Sequence, residues 1–277
     1  MKLSDLTAIG RSVDLSYPTN RAIAVLAGLT AAALSVLQLC LGTPWLQSAL
    51  WGLTAGISVF LAWAIARELD PDQDLSAFVA AGLAIVGIGI WGLPDLGMLF
   101  WLLLLVRMVN RTTGLSAKWS DSLAVLALGG WLAFQGNWAF AALTAVALWL
   151  DSQLRPTNRP QLVFAGLGAA LTAIALVFAG VTPDGGVSFA AGALAVGLSA
   201  AFLPVLVGSS RMVSVGDEDG EALVPMRVQA AQAVVLAAGI EAALWSGAVG
   251  LVALVPFWAA VLGTAAYRWL RTFASAR

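Results

Sequence analysis

The chain of 277 residues contains no histidine, a single cysteine and two tyrosines, and only 10% of its residues are charged. Without histidine, bis-histidine haem, histidine-ligated metals, histidine general bases and Ser-His-Asp triads are all excluded. With Cys40 alone, there is neither an intrachain disulfide nor a cysteine metal cluster. The net charge is −1, and no basic tail or arginine stripe exists, so no nucleic-acid partner is expected. An apolar signal-peptide core is also lacking at the start: Lys2 precedes some twenty mixed polar and apolar residues. Leu3, Leu6, Ile9 and Val13 within that stretch recur at three- to four-residue spacing, which suits a short helix on a membrane surface or a disordered tail.

What fills the sequence instead is apolar. Hydrophobic residues make up 60% of it and the mean hydropathy is +0.90, whereas a soluble domain carries about 25% charged residues. The expected fold is all-α: a polytopic integral membrane helical bundle of about ten transmembrane helices. The apolar runs are 22–42, 46–66, 75–92, 96–110, 121–135, 138–150, 160–180, 187–207, 227–246 and 249–267. Several are shorter than the ~20 residues that span ~30 Å of hydrocarbon, the fifth and sixth least securely. Backbone groups in lipid must be satisfied internally, and no run shows the alternation of a barrel strand. Pro204 and Pro256 should kink the eighth and tenth runs.

Charge orients the bundle. With a cytoplasmic N-terminus, all 14 basic residues fall on one side, which predicts an inner-membrane protein with both termini in the cytoplasm. Pro18-Thr19-Asn20-Arg21 ahead of the first run returns as Pro156-Thr157-Asn158-Arg159 ahead of the seventh, and the two segments also match at Val25/Val163, Ala27-Gly28-Leu29/Ala165-Gly166-Leu167, Ala31-Ala32/Ala169-Ala170 and Gly42/Gly180. A Thr-Pro pair follows each, ending in Pro44 and Pro183. Both runs point outward, so the pattern predicts a parallel internal repeat of helices 1–4 and 7–10. The blocks are a cytoplasmic segment 1–20, a first repeat 21–111, an inserted helix pair 112–154 and a second repeat 155–277. Small-residue pairs Gly52/Gly56, Gly82 with Gly87 and Gly89, Gly166/Ala170 and Gly192/Gly197 are expected to seat helices closely.

Candidate site residues are few. Asp70, Asp72 and Asp74 could hold Mg²⁺, but Asp70 also suits an N-cap, with Pro71 opening the next helix. Arg107, Asn110 and Arg111 share one face of the fourth helix and suit lipid phosphate or interfacial anchoring. Glu241 is an ionisable residue well inside a run, toward its outer end. Asp151, Arg155 and Arg159 stand in Asp151-Ser152-Gln153-Leu154-Arg155-Pro156-Thr157-Asn158-Arg159-Pro160, where Thr157 or Asn158 also suits a helix cap, as does Asn20. The segment resembles the cytoplasmic Asp-then-Arg-Pro-x-x-Arg-Pro stretch of UbiA-type intramembrane prenyltransferases. That resemblance implies acidic and basic residues around an isoprenoid diphosphate with Mg²⁺. It departs where Ala141 to Leu148 are apolar and in following the sixth run.

Three functions follow: a permease-like bundle for an apolar or amphipathic solute, a non-catalytic subunit packed against partners, lipids or pigments, and a lipid- or isoprenoid-phosphate enzyme at the cytoplasmic face. No cofactor is expected except Mg²⁺ with the enzyme. Membrane lipids are the expected partners, with membrane proteins or a second copy of the chain as further candidates.

Overall fold

A computed structural model describes residues 6–275 apart from 12, 180–182, 184 and 185. Lys2, Leu3, Gly180, Thr182 and the C-terminal arginine, all used above, lie outside the described residues. The chain is 76% helical, without strands among the described residues. Each apolar run becomes helical. In order these are α1 (Pro18–Cys40), α2 (Trp45–Leu69), α3 (Ser76–Trp91), α4 (Leu96–Asn110), α5 (Trp119–Phe134), α6 (Ala139–Gln153), α7 (Gln161–Ala179), α8 (Phe189–Ala201), α9 (Leu203–Gly208), α10 (Pro225–Ser246), α11 (Ala248–Ala253) and α12 (Val255–Ser275).

Five stretches are long and apolar enough to cross a membrane: α1, α2, 161–178 of α7, α8 with α9 and the turn to Arg211, and α10. The helices α3 to α6 have 15 or 16 residues, about 24 Å at 1.5 Å per residue. The breaks between α8 and α9, at Phe202, and between α11 and α12, at Leu254, fall two residues before Pro204 and Pro256. Proline lacks the amide proton and crowds the carbonyl four residues back, which is the kink expected.

The chain divides into two compact units, a terminal one of residues 13–99 and 252–277 and a central one of 1–12 and 100–251. In the terminal unit α1 packs on α2, α2 on α3, and α12 on both α2 and α3. Pro18 opens α1 at a position that needs no amide proton. Gly42, at φ +86°, closes it: the Thr43 amide donates to the Gln38 carbonyl and the Gly42 amide to that of Leu39, satisfying carbonyls the helix leaves orphaned. Neither asparagine of the repeated tetrapeptide caps a helix. Tyr17 occupies the cap of α1, and Asn20, inside the first turn, donates to the Asp14 carbonyl. The second copy, 156–159, is irregular chain ahead of α7.

Small residues seat some helices closely. A Cβ at Gly56 would lie 2.6 Å from the Ala27 carbonyl oxygen, and one at Gly263 2.6 Å from the Ala80 amide. Gly52, Gly87 and Gly192 are similarly tight, against Ala31 and Ser35, Val255 and Leu244 respectively. Gly82, Gly89, Gly166 and Gly197 correct the expectation, since nothing lies within 4 Å of a Cβ there. On α7 the close approach is at Gly168, against Ala145, because the face carrying Gly166 and Ala170 turns outward.

In the central unit α5, α6 and α7 pack pairwise, and α10 packs on α6 and α8. The Trp101 indole donates to the Thr144 hydroxyl at 2.9 Å and stands edge-on to Phe140 at 4.9 Å. The side chains of Gln229 and Gln232 on α10 donate to the Leu206 carbonyl and the Ser209 hydroxyl, at the end of the broken α8–α9 segment. Leu6 is helical, and the residues that follow it are not a loose tail. Residues 7–11 make an irregular strap, bent at Ala8 and Ile9, both of which are buried.

A candidate site around buried Asp151

Asp151 lies in the last turn of α6 with no exposed surface. A buried carboxylate is costly unless paired and hydrogen-bonded, and this one is held by three groups. Its Oδ1 accepts from Arg111 Nε at 2.8 Å and from Arg227 Nη1 at 2.9 Å, and its Oδ2 from Asn158 Nδ2 at 3.3 Å. Arg227, near the start of α10, is itself buried. Its guanidinium also donates to the carbonyls of Arg155 (3.1 Å), Val109 (2.9 Å), Asp151 (3.2 Å), Leu154 (2.6 Å) and Pro156 (2.8 Å). Five N–H groups therefore meet six acceptors, and none is left for a substrate.

Arg111 follows α4 at φ +51°, the one non-glycine residue with positive φ among those described. That left-handed turn carries its side chain off the face shared by Arg107 and Asn110, so the expected trio is split. Arg111 donates to Asp151, to the Ser116 hydroxyl (3.0 Å) and to the Pro156 carbonyl (3.0 Å). Two buried guanidiniums face one carboxylate. The surplus positive charge sits on backbone carbonyls at the C-terminal ends of α4 and α6, where helix dipoles favour cations. The cluster joins α4, α6, α10 and the chain 154–158, an arrangement suited to structural locking.

The other half of the expected trio serves the strap. Arg107 Nη1 donates to the Ile9 carbonyl at 3.3 Å, the Thr113 hydroxyl to that of Ala8 at 2.8 Å, and Asn110 accepts the Thr112 amide. Asp121 caps α5 by accepting the Lys118 amide, and it also takes the Ala8 amide and the Thr7 hydroxyl. Arg11 pairs with Asp217 at 2.9 Å in the turn that the Val215–Ala222 bridge closes.

Arg155 and Arg159 have a different environment. Both are exposed, and neither makes an ion pair among the described residues. The backbone that carries them is nonetheless tied down through the carbonyls of Leu154, Arg155 and Pro156 and through Asn158, which donates to the Ala117 carbonyl at 3.1 Å.

In the terminal unit, Asp70 follows α2 as its last hydrogen-bonded residue, its amide donating to the Ala66 carbonyl, and α3 begins only at Ser76. It is not the N-cap expected, because α2 runs a turn longer and buries Glu68, Leu69 and Asp70. Asp74 pairs with Arg67 at 2.9 Å, and among the described residues no three acidic or thiol groups are gathered to hold a metal ion. Burial pushes the Asp70 carboxyl up to about 6, against the pull of Arg268 at 3.9 Å and with Asp72 adding to the rise. The folded chain then holds a proton that the unfolded chain, titrating near 3.8, gives up. Stability should fall as pH rises from about 4 to 6, by roughly 2 to 3 kcal/mol. Melting across that window in wild type and Asp70→Asn checks this: the variant should lose the slope, and an unchanged slope would exclude Asp70 as its source.

Glu241 lies in the last turns of α10. Its Oε1 accepts from Asn137 Nδ2 at 2.9 Å, while Oε2 is buried without a hydrogen-bond partner. The Asn137 carbonyl takes the Ala139 amide, which fixes the direction of its NH₂ group. Trp138 and Trp245 flank the pair, edge-on at 6.3 Å. No sequence signal singled out Arg227 among the basic residues at run ends; its lack of an acidic neighbour at helical spacing was the only hint that its partner lay elsewhere.

Comparison of the chain with protein-family models, with curated proteins and with solved structures returned no match.

Proposed function

We propose that the chain is an inner-membrane permease of ten spans, with both termini in the cytoplasm and spans 1–4 (α1–α4) repeated as spans 7–10 (α7–α12), that carries an apolar or amphipathic solute. Glu241 carries the proposal. It is a carboxylate within a membrane-length helix, and one of its oxygens is buried without a protein partner. Such a group is expensive in the membrane and belongs where a solute, a proton or water meets it. The Arg111–Asp151–Arg227 cluster supplies the fixed end of the same helix. Proteoliposomes containing the purified chain should take up at least one of a fluorescent amphipathic cation, anion or neutral analogue faster than protein-free vesicles. Glu241→Gln should lower that rate about tenfold or more, since a positioned carboxylate contributes on the order of 1–3 kcal/mol. Equal rates with and without protein for all three probes would overturn the proposal.

A second reading, a non-catalytic membrane subunit, draws on α1, which buries 11% of its apolar stretch against 61% for α2. A partner protein co-purifying in fixed ratio in mild detergent would favour it. The lipid- or isoprenoid-phosphate enzyme, and Mg²⁺ with it, has less support, because Asp151 spends its oxygens on Arg111, Arg227 and Asn158.

A further inference from the structure

Arg155 and Arg159 present two exposed guanidiniums on a backbone that is held rather than free. The carbonyls of 154–156 are bound by Arg111 and Arg227, and Asn158 is bound to Asp151 and Ala117. The nearby carboxylate cannot neutralise them, because Asp151 is buried and already shared by two other arginines. Those two leave one surplus positive charge directly beneath the loop. The loop therefore adds cations to a place that is already positive, and no acidic partner compensates Arg155 or Arg159 among the described residues.

The surroundings are those of a membrane boundary. Trp149, in the last turns of α6, and Trp119, opening α5, are 50% and 72% exposed. Trp119 stands edge-on to Phe164 of α7 at 5.7 Å, and the Asn158–Ala117 hydrogen bond brings the loop to the residues just before it. Exposed tryptophans with an apolar body and a polar N–H favour the headgroup level. Cations beside them meet lipid phosphate, each contributing about 1 kcal/mol near an anionic surface. Arginine suits this role because its planar fork matches two phosphate oxygens.

We propose that the α6–α7 loop is an anionic-phospholipid site, in which Arg155 and Arg159 bind the headgroup phosphate and Trp119 and Trp149 border the glycerol and upper acyl region. Arg107 of α4 and Arg111 just after it are not part of the site, since they are committed to Ile9 and Asp151. The site is independent of any transport activity.

Native mass spectrometry of detergent-purified chain equilibrated with equimolar phosphatidylglycerol and phosphatidylcholine tests it. Wild type should retain phosphatidylglycerol preferentially, and the Arg155→Gln/Arg159→Gln double variant should lose roughly tenfold to thirtyfold of that preference. Arg21→Gln, which removes an exposed cation on α1, should keep it. Unchanged melting of the double variant in phosphatidylcholine alone would establish that it folds; if it melts lower, the single variants are measured instead, each expected to lose part of the preference. Equal retention of the two lipids by wild type, or undiminished preference in the folded variants, would overturn the proposal. So would displacement of the lipid by millimolar inorganic phosphate, which would make free phosphate the ligand.

Discussion

Asp151→Ala is expected to be among the most destabilising single substitutions in the chain, by about 3–5 kcal/mol, the usual cost of leaving a buried ionic partner uncompensated. Two guanidiniums with 4% and 1% side-chain exposure would then face each other across the space the carboxylate leaves. Asp151→Asn should do less harm. Its side-chain oxygen still accepts from Arg111 and Arg227, while the charge is lost and a donor is placed among donors. Arg227→Lys should fall near the alanine variant, because an ammonium has three donors for six acceptors now served by five. Thermal melting in one detergent orders the series, with Asp151→Ala lower by roughly 10 °C. A series in which all three melt like wild type would show that the cluster does not lock these helices. Loss of function without loss of stability would instead move Asp151 from structural residue to substrate contact.

This cluster also marks where sequence reasoning ends. Helix positions follow from runs of apolar residues, and kinks from the missing amide of Pro204 and Pro256; both are local chemistry, so each run is found as helix and each break lies two residues before its proline, while several helix ends extend beyond the run. Partner choice is not local. Asp151 and Arg227 are 76 residues apart, and either could have faced water. In a continuing helix i, i+3 and i+4 share a face and would place Arg111 beside Arg107 and Asn110, but α4 ends at Asn110 and Arg111 turns left-handed. Asp70 departs for the opposite reason: α2 continues past its apolar run and draws Glu68 and Asp70 into the interior, while Asp72 and Asp74 stay in the loop. Glu241 could be picked out as a carboxylate within a span, yet its partner Asn137 is 104 residues away in a short link, where nothing in the sequence distinguishes it. The five long apolar helices agree with a helical membrane bundle, and the functional reading depends on Glu241.

Gly56→Val should detach α1 from α2, because the two helices touch through backbone rather than through side chains that can move. A Cβ at position 56 would stand 2.6 Å from the Ala27 carbonyl oxygen and 2.9 Å from the Ala31 Cβ, distances that real structures essentially never show. Backbone at the contact cannot rotate away as a flexible side chain could, so the helices must separate along the seam that Gly52 also lines. Overpacking of this kind costs about 1–3 kcal/mol, and more where neighbours cannot yield. The effect should be large for α1 because so little of it is buried elsewhere: Ile23 and Thr30 are its buried residues. Gly28→Val offers the control, on the facing helix α1 one residue from Ala27 but with nothing within 4 Å of its Cβ. It shares the loss of glycine flexibility and the added β-branch, so any difference between the variants belongs to the seam. Gly56→Val should melt well below wild type and Gly28→Val close to it. If the two melt together, α1 is held by something other than the Gly52–Gly56 contact.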